Sequence, residues 1–208
     1  MKPRFLITAG PTREFFDPVR FISNRSSGRM GYELARAARR VAGKVVLVSG
    51  PTALKVPRGV KLVPVVTARE MAKAVWSRQE RVDIIIMAAA VCDFRPKRSA
   101  KSKIKKGKFT GMLELEATPD ILAELGRRKT QQVLVGFAAE TDGLVSNAKE
   151  KLKRKNLDLI IANDAEAMEA KTNRVALLYP DGRFEWLPEM PKAKVATEII
   201  RRVIALRT

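Results

Sequence analysis

Apolar and polar positions follow two alternating patterns along most of this 208-residue chain. Short continuous runs of Val, Ile and Leu are typical of strands buried on both faces. Apolar residues three and four positions apart are typical of amphipathic helices. The runs predict strands at residues 4–8, 44–49, 61–66, 82–90, 132–138 and 157–162, and the helical spacing predicts helices at residues 28–41, 68–79, 120–128 and 146–156.

Strands and helices in alternation predict an α/β fold with a mostly parallel central sheet and helices on both faces. A short strand is expected at residues 112–116, and Thr118 is placed to cap the helix that follows. Near the C-terminus the period becomes two, over residues 174–187, around a turn at Pro180 to Gly182. That pattern predicts a β-hairpin, followed by a last helix over residues 192–206. We expect one domain over residues 1–208.

The turn Gly10, Pro11 and Thr12 comes directly after the first predicted strand. Ligand crevices of α/β sheets lie at this edge, so the turn is a candidate for phosphate contact. An ordinary tight turn is an equal alternative, because the G-x-G-x-x-G motif of dinucleotide sites is absent here.

A second turn-forming segment, Asn24 to Gly28, leads into the first helix. Ser26 or Ser27 is placed to cap the helix, and Ser27 could be only a cap. The free N–H groups and the dipole of the helix also favour a bound anion such as phosphate. Asn24 adds a donor, and Gly28 leaves room for close backbone approach.

Arg20 and Asp17 lie between these two turns. Arg20 could pair with a carboxylate or phosphate in bidentate fashion. We expect Asp17 to hold one of the neighbouring arginines in place.

The most apolar strand ends at Ala88, Ala89 and Ala90 and is followed by Asp93. Small residues there could reflect close helix packing. They could also form a floor against which a flat ligand lies, with Asp93 meeting ribose hydroxyls or a cation.

The loop at residues 93–110 is strongly basic, with eight Lys or Arg in residues 93–108. A solvated charge run is the ordinary interpretation. The alternative is a mobile flap over a triphosphate, with a lysine such as Lys103 neutralising charge. Lys151 and Lys155 are expected on one helix face, where like charges four positions apart repel each other. An anion between them would be a natural use, and a solvated face is the alternative. Phe137 is expected in the core or at the crevice.

Composition narrows the chemistry. The chain has 41 Lys and Arg, 22 Asp and Glu and no His, for a formal charge of +19. This charge favours anionic partners: nucleotides, phosphorylated metabolites, nucleic acid or an acidic membrane face. The lack of histidine excludes histidine-based metal sites and catalytic triads. The single cysteine, Cys92, is expected to be a small apolar filler. We find no bilayer-spanning run and no signal peptide, and therefore expect a soluble, cytoplasmic protein without a membrane partner.

Long and idiosyncratic motifs carry a resemblance that covers nearly the whole chain: AGPTREFFDPVRFISNRSSGRMG, AAAVCDFRP, KIKK, TPDI, VGFAAET and KRKNLDLIIAND. The chain closely resembles phosphopantothenoylcysteine synthetase of coenzyme A biosynthesis, in its stand-alone bacterial type. The resemblance implies a three-layer Rossmann-like fold. It also implies ligation of 4′-phosphopantothenate with L-cysteine through an acyl-nucleotide. The bacterial type uses CTP with Mg²⁺ and releases CMP and pyrophosphate; an ATP-dependent version is the alternative. No flavin and no decarboxylase activity are expected.

The resemblance also implies roles for individual residues. Asn24 matches the asparagine that contacts the acyl group, with Arg20 and Ala90 as its neighbours, and Lys103 matches the lysine that forms the acyl-nucleotide. The expected nucleotide-binding residues are Gly10, Pro11, Thr12, Ser26, Ser27, Gly28, Met87, Asp93, Lys103, Pro119, Asp120, Ile121, Leu122, Phe137, Lys151 and Lys155. The family implies a homodimer, for which the hairpin at residues 174–187 is a candidate element.

Two other functions are alternatives. An NAD(P)-dependent oxidoreductase is disfavoured by the missing G-x-G-x-x-G motif. A nucleic-acid-binding module is disfavoured because aromatic residues make up only 6% of the chain and the basic residues are spread over several elements. Nucleic acid is therefore not an expected partner.

Overall fold

The structure, a computed structural model, describes residues 1–108, 111–140, 144–164 and 172–207. The strands are β1 (Arg4–Ala9), β2 (Arg13–Phe15), β3 (Phe21–Ser23), β4 (Lys44–Ser49), β5 (Lys61–Pro64), β6 (Ile84–Met87), β7 (Phe94–Pro96), β8 (Leu115–Ala117), β9 (Val133–Glu140), β10 (Leu159–Asp164), β11 (Thr172–Leu178) and β12 (Phe184–Pro191). The helices are α1 (Arg29–Val41), α2 (Ala68–Trp76), α3 (Ile121–Arg128), α4 (Leu144–Arg154) and α5 (Lys192–Ala205). None of the helices in these ranges is long and apolar enough to cross a membrane.

Eight strands form one sheet in the order β12-β11-β10-β9-β6-β1-β4-β5. The six strands from β10 to β5 run parallel, and β11 and β12 are antiparallel additions at one edge. This confirms the predicted mostly parallel sheet and the C-terminal hairpin. The strand order reverses at β1, which has β4 on one side and β6 on the other. In open α/β sheets, ligands bind beyond the carboxyl ends of the strands at such a switch point.

The sheet lies between two layers of helices. Along β1, Phe5 and Ile7 face a core formed with α1 and α5, whereas Leu6 faces a core formed with α2, α3 and α4. All three side chains are fully buried, and burial of a large apolar side chain contributes about 1.5–3 kcal/mol. Burial on both faces explains why these strands are continuous apolar runs in the sequence.

Two small two-stranded sheets lie outside the main sheet, and of their four strands only the last was expected from the sequence. β2 pairs with β3, joining Phe15 to Phe21, whose rings lie 5.2 Å apart. β7, inside the basic segment, pairs with β8, which lies beyond it. The strand expected at residues 112–116 is therefore shifted to Leu115–Ala117. These strands are only three residues long, too short to produce a period in the sequence.

The predicted helix caps need two corrections. Gly28, with φ +73°, is the N-cap of α1, while the Ser26 and Ser27 hydroxyls accept weaker hydrogen bonds from the N–H groups of Gly28 and Arg29. Asp120 caps α3, because its Oδ1 accepts the N–H of Ala123 at 3.0 Å. The predicted cap, Thr118, donates its hydroxyl to the Cys92 carbonyl instead, at 2.6 Å.

Some predicted elements are shorter than expected. The strand at residues 82–90 is limited to β6, because the chain beyond Met87 leaves the sheet. The strand at residues 61–66 ends at Pro64, and α2 ends at Trp76, before a 3₁₀ turn at Gln79–Arg81. Thr67 caps α2 as predicted, in a reciprocal arrangement with Glu70.

Candidate active site

A cleft lies at the carboxyl edge of the sheet, beyond the ends of β1 and β6. The turns that follow these two strands are joined to each other by backbone hydrogen bonds. The Ala90 N–H donates to the Gly10 carbonyl at 3.0 Å, and the Thr12 N–H donates to the Ala90 carbonyl at 3.3 Å. This bridge fixes the segment after β6 as the floor of the cleft.

Thr12 and Asn24 strengthen this floor. Thr12 Oγ1 accepts the Cys92 N–H at 3.0 Å, and the Thr12 carbonyl accepts the Ser23 hydroxyl at 2.7 Å. Asn24 Nδ2 donates to the Val91 carbonyl at 2.9 Å. The amide of Asn24 is thereby held over the floor, next to Ala90.

Two adjoining chambers make up the cleft. The first, about 380 Å³ and here called the lysine chamber, is lined by Met87, Ala89, Val91, Asp93, Phe94, Ala117, Thr118, Pro119, Asp120, Ile121, Leu122, Phe137, Lys151 and Lys155. The second, about 530 Å³ and here called the asparagine chamber, is lined by Ser23, Asn24, Arg25, Ser26, Gly28, Arg29, Met30, Ala88, Ala89, Ala90, Val91, Asp93, Phe137, Lys151, Asn163, Asn173 and Lys192. Five residues line both and form the boundary between them: Ala89, Val91, Asp93, Phe137 and Lys151.

Charged side chains are fixed along the lysine chamber. Lys151 Nζ donates to the Phe137 carbonyl at 3.0 Å, and Lys155 Nζ forms an ion pair with Asp120 at 2.8 Å. Burial alone would raise the pKa of Asp120, but hydrogen bonds from Lys155 and Ala123 hold it below its ordinary value. Both ammonium groups are therefore held in place by contacts within the chain before any ligand arrives.

The asparagine chamber is built around the N-terminus of α1. A Cβ on Gly28 would lie 2.7 Å from Thr52 Cγ2 and 3.1 Å from the Gly10 Cα. The positive φ and this close approach together require glycine. Gly28, Arg29 and Met30, at the start of α1, line the chamber, and the helix dipole favours an anion there.

Lys192 adds positive charge to the same chamber although it is only 3% exposed. Burial and the nearby Arg29 lower the pKa of Lys192. Lys192 follows β12, and Asn173 lies near it because Thr172 pairs with Pro191 and Asn173 with Met190. Asn173 is 4% exposed, and its Oδ1 has no hydrogen-bond partner among the described residues. Since buried polar atoms are nearly always satisfied, this oxygen is a candidate for contact with a ligand.

The structure brings most predicted site residues to this cleft. Those that line one or both chambers are Asn24, Ser26, Gly28, Met87, Ala90, Asp93, Pro119, Asp120, Ile121, Leu122, Phe137, Lys151 and Lys155. Gly10, Pro11 and Thr12 are buried behind the floor and support it rather than line it. Ser27 likewise lines neither chamber.

Arg20 and Lys103 are also absent from the residues that line the chambers. Arg20 forms an ion pair with Asp17, as expected for Asp17, and contacts the basic loop through the Ile104 carbonyl. Lys103 is exposed in that loop. The structure therefore places Arg20 against the loop that carries Lys103, and neither residue lines a chamber.

The asparagine chamber is also lined by five residues that were not predicted from the sequence as site residues: Arg29, Met30, Asn163, Asn173 and Lys192. Asn163 had a usable signal, because it ends a buried strand at the same edge as Ala90. Lys192 carried a weaker signal as the first residue of the last helix.

Cys92 is 3% exposed, and burial raises the pKa of its thiol. A neutral, buried thiol is a poor nucleophile, so the arrangement fits the predicted filler. Across the described ranges, no three His, Cys, Asp or Glu side chains gather as metal ligands.

Comparisons with known proteins agree with the resemblance carried by the sequence motifs. Residues 1–206 match the family described as DNA/pantothenate metabolism flavoprotein C-terminal domain. The coenzyme A biosynthesis bifunctional protein CoaBC of Bacillus subtilis is 48% identical over 206 residues, covering 97% of this chain and 51% of that protein. CoaBC of Borreliella burgdorferi is 43% identical, covering 95% and 51%. The chain thus spans about half the length of these curated relatives.

Solved structures share the fold. A crystal structure of the C-terminal domain of CoaBC has a TM-score of 0.86 and 44% identity, covering 98% of this chain and 95% of that one. A Cab2 mutant in complex with phosphopantothenate-cysteine has a TM-score of 0.84 at 22% identity, and shows the fold alone. The motif resemblance is confirmed at the family level: the chain belongs to the family of DNA/pantothenate metabolism flavoprotein C-terminal domains.

Proposed function

We propose that the chain is a phosphopantothenate–cysteine ligase, which joins 4′-phosphopantothenate and L-cysteine with the energy of a nucleoside triphosphate. The observation that carries the proposal is the pair of chambers that meet at a shared floor. A ligase of this kind must hold two anionic substrates end to end, with the reacting carboxylate against the α-phosphate. Fixed positive charge on both sides of the floor offsets their repulsion.

The lysine chamber suits the nucleoside and its α-phosphate. Lys151 lies on the boundary with its ammonium held by the Phe137 carbonyl. Lys155 follows directly after α4, and its N–H donates to the Lys151 carbonyl at 3.0 Å. The asparagine chamber suits the acyl substrate and the leaving phosphates, because the N-terminus of α1, Arg29 and Lys192 all present positive charge there.

The proposed reaction has two steps. A carboxylate oxygen of 4′-phosphopantothenate bonds to the α-phosphorus, the bond to the β-phosphate oxygen breaks, and pyrophosphate leaves. The amine of cysteine then bonds to the acyl carbon, the bond to the nucleotide oxygen breaks, and the nucleoside monophosphate leaves as the amine loses a proton. Neither step needs a protein nucleophile or a histidine. Asn24, held over the floor beside Ala90, is suited to orient the acyl group in the second step.

CTP is the proposed nucleotide and ATP the alternative; the preference for CTP rests on the resemblance. Mg²⁺ would arrive with the nucleotide and offset charge on the phosphates. The lack of a three-ligand cluster within the described part of the chain suits this, because protein-bound Mg²⁺ often takes one carboxylate and several phosphate or water oxygens. Asp93, exposed in both chambers, is the carboxylate that could contribute.

A turnover assay with CTP, ATP, GTP and UTP in parallel tests the reaction and the base preference together. Each reaction contains 4′-phosphopantothenate, cysteine and Mg²⁺, and pyrophosphate is measured. We expect release with CTP that depends on 4′-phosphopantothenate. Absence of turnover with all four nucleotides would end the proposal.

A homodimer is part of the same proposal. The candidate hairpin, β11 and β12, is integral to the edge of the main sheet, and Phe184 and Trp186 on its outer strand are exposed and in edge-to-face contact. Sedimentation of wild type and Trp186→Glu tests this element. A dimer that is unaffected by the substitution would place the interface elsewhere.

A further inference from the structure

Asp17 lies in the turn between β2 and β3 and is fully buried. Its carboxylate accepts five N–H donors. Oδ1 accepts the backbone N–H groups of Val19 at 2.9 Å and Arg20 at 2.8 Å, and Oδ2 accepts Arg20 Nε at 2.9 Å and Nη2 at 2.5 Å. The fifth donor comes from a distant part of the chain: the N–H of Ile104 reaches Oδ2 at 3.2 Å.

Arg20 completes the contact with this distant segment. Its Nη2 donates to the Ile104 carbonyl at 2.7 Å, so the N–H and the C=O of one residue are both bound by the Asp17–Arg20 pair. Four residues earlier, the Ala100 N–H donates to the Phe16 carbonyl at 2.9 Å. Residues 100–104 are therefore attached at both ends to the first hairpin, and Lys103 lies inside this span.

The attachment matters because the segment has few means of ordering itself. Residues 97–107 have no strand or α-helix, and most of their side chains are exposed. The segment is also rich in positive charges that repel one another. Fixing each backbone residue of a loop costs about 1–2 kcal/mol of conformational entropy. A buried carboxylate at its base supplies hydrogen bonds and opposite charge together.

We propose that Asp17 is a positioning residue for Lys103: with Arg20 it fixes the backbone on the carboxyl side of Lys103, so that the ammonium can be delivered to the phosphates of the nucleotide. This rests on the proposed function for the role of Lys103. It also gives Arg20 a role in the loop, because its guanidinium contacts both Asp17 and Ile104. Arg20 then affects turnover through the position of the loop.

The test compares Asp17→Asn with a matched control, Glu14→Gln. Glu14 is a second buried carboxyl on the same hairpin, but its Oε1 accepts the N–H of Ala68 and does not contact the loop. Hydrogen exchange of residues 100–107 is measured without substrates, and pyrophosphate release is measured in a single turnover. We expect Asp17→Asn to accelerate exchange in the loop and to slow release about ten- to one-hundred-fold, as for a misplaced catalytic group. The KM for the nucleotide should change much less than the rate, and Glu14→Gln should change neither the exchange nor the release.

The outcomes separate the two proposals. Unchanged exchange in Asp17→Asn overturns the attachment, and faster exchange with unchanged pyrophosphate release overturns the positioning role. No release by the wild type would instead overturn the proposed function and leave the exchange result standing. If Asp17→Asn does not fold, Ile104→Pro provides the same test, because it removes the donor from the loop and leaves the hairpin intact. Faster exchange at residues 101–103 and slower release are expected again, and the absence of either would contradict the proposal.

Discussion

The floor of the cleft is fixed by backbone hydrogen bonds between the turns after β1 and β6, whereas the loop that carries Lys103 is fixed through the side chains of Asp17 and Arg20. On the floor, Gly10, Thr12 and Ala90 exchange main-chain hydrogen bonds next to the fully buried end of β1, at Ile7 and Ala9. In the loop, the backbone of Ile104 depends on the Asp17–Arg20 pair.

This difference separates two kinds of position in one proposed site. Main-chain hydrogen bonds join the two turns of the floor, and the side chains of Thr12 and Asn24 add to them. Replacing one of these side chains should therefore leave the two turns joined. The loop can lose its position through a single substitution far from the nucleotide. Substitutions at the floor should therefore alter single steps of the reaction, and substitutions around Asp17 should alter the first step through loss of order.

The largest effect is expected for Lys103→Gln. Removing the ammonium takes away charge neutralisation during pyrophosphate departure, and loss of one such group costs about 10²–10³ in rate. Acyl-nucleotide formation, followed by quenched flow, should fall by about that factor. Lys106→Gln changes another exposed lysine of the same loop and should retain activity. Equal rates for Lys103→Gln and wild type would contradict the role of Lys103.

The second prediction concerns the floor and uses the substitution Asn24→Asp. The new carboxylate would face the Ala90 and Val91 carbonyls that now accept from Asn24 Nδ2, so its orientation over the floor is lost. We expect the first step to persist and the acyl-nucleotide to accumulate, since the second step slows about ten-fold or more. Chromatography of quenched reactions measures the intermediate. If only the first step were lost, Asn24 would act in acyl-nucleotide formation and not in the attack by cysteine, which would contradict its proposed role.

Lys192→Met should weaken binding of the triphosphate with a smaller change in rate. A hydrogen bond to a charged group contributes about 1.5–3 kcal/mol, which corresponds to about ten- to one-hundred-fold in affinity. Because burial and Arg29 lower the pKa of Lys192, its charge is lost at a lower pH than in an ordinary lysine. Nucleotide affinity should therefore weaken as pH rises through that pKa.

Calorimetric titration with CTP across alkaline pH measures both effects. Lys192→Met should lack this part of the pH dependence. Lys194→Met, at an exposed position of the same helix, should bind CTP as wild type does. A pH dependence shared by all three proteins would argue against a role for Lys192.

The smallest effect concerns stability and Asp17. Burial alone would raise the pKa of this carboxyl, but hydrogen bonds from Arg20, Val19 and Ile104 hold it well below its ordinary value. A carboxyl with a depressed pKa in the folded state stabilises the fold fully above its unfolded pKa of about 3.9, and this contribution is lost as pH falls toward the folded pKa.

The gap in free energy of unfolding between wild type and Asp17→Asn should then be constant from about pH 5 to 8 and should narrow below about pH 4. Urea unfolding at a series of pH values measures this gap. A gap that stays constant into the acid range would mean that the charge of Asp17 does not stabilise the fold.

The elements of the main sheet could be predicted because each strand is buried on both faces or packs a helix against one of them. The strand predicted at residues 44–49 has the same bounds as β4. Asn24, Ala90 and Asp93 lie at the edge of the sheet where the sequence places them. Chain order and strand direction were sufficient for that, since the carboxyl ends of parallel strands meet at one edge.

The rest depended on contacts without a local pattern. β2 and β3 contain three residues each, and the Ile104 N–H reaches Asp17 across 87 positions of sequence. Lys192 and Asn173 reach the cleft through the antiparallel return of β11 and β12. The displaced caps have a similar cause, because Asp120 and Thr118 could each have capped α3 and only the contact with Cys92 engages Thr118 elsewhere.

The most direct test of the proposed reaction follows the carboxylate oxygen of 4′-phosphopantothenate. With both carboxylate oxygens labelled as ¹⁸O, the enzyme is incubated with CTP, Mg²⁺ and cysteine, and the products are analysed by mass spectrometry. Attack on the α-phosphorus predicts one labelled oxygen in CMP, with unlabelled pyrophosphate. Label in inorganic phosphate, with CDP as the other product, would contradict the account.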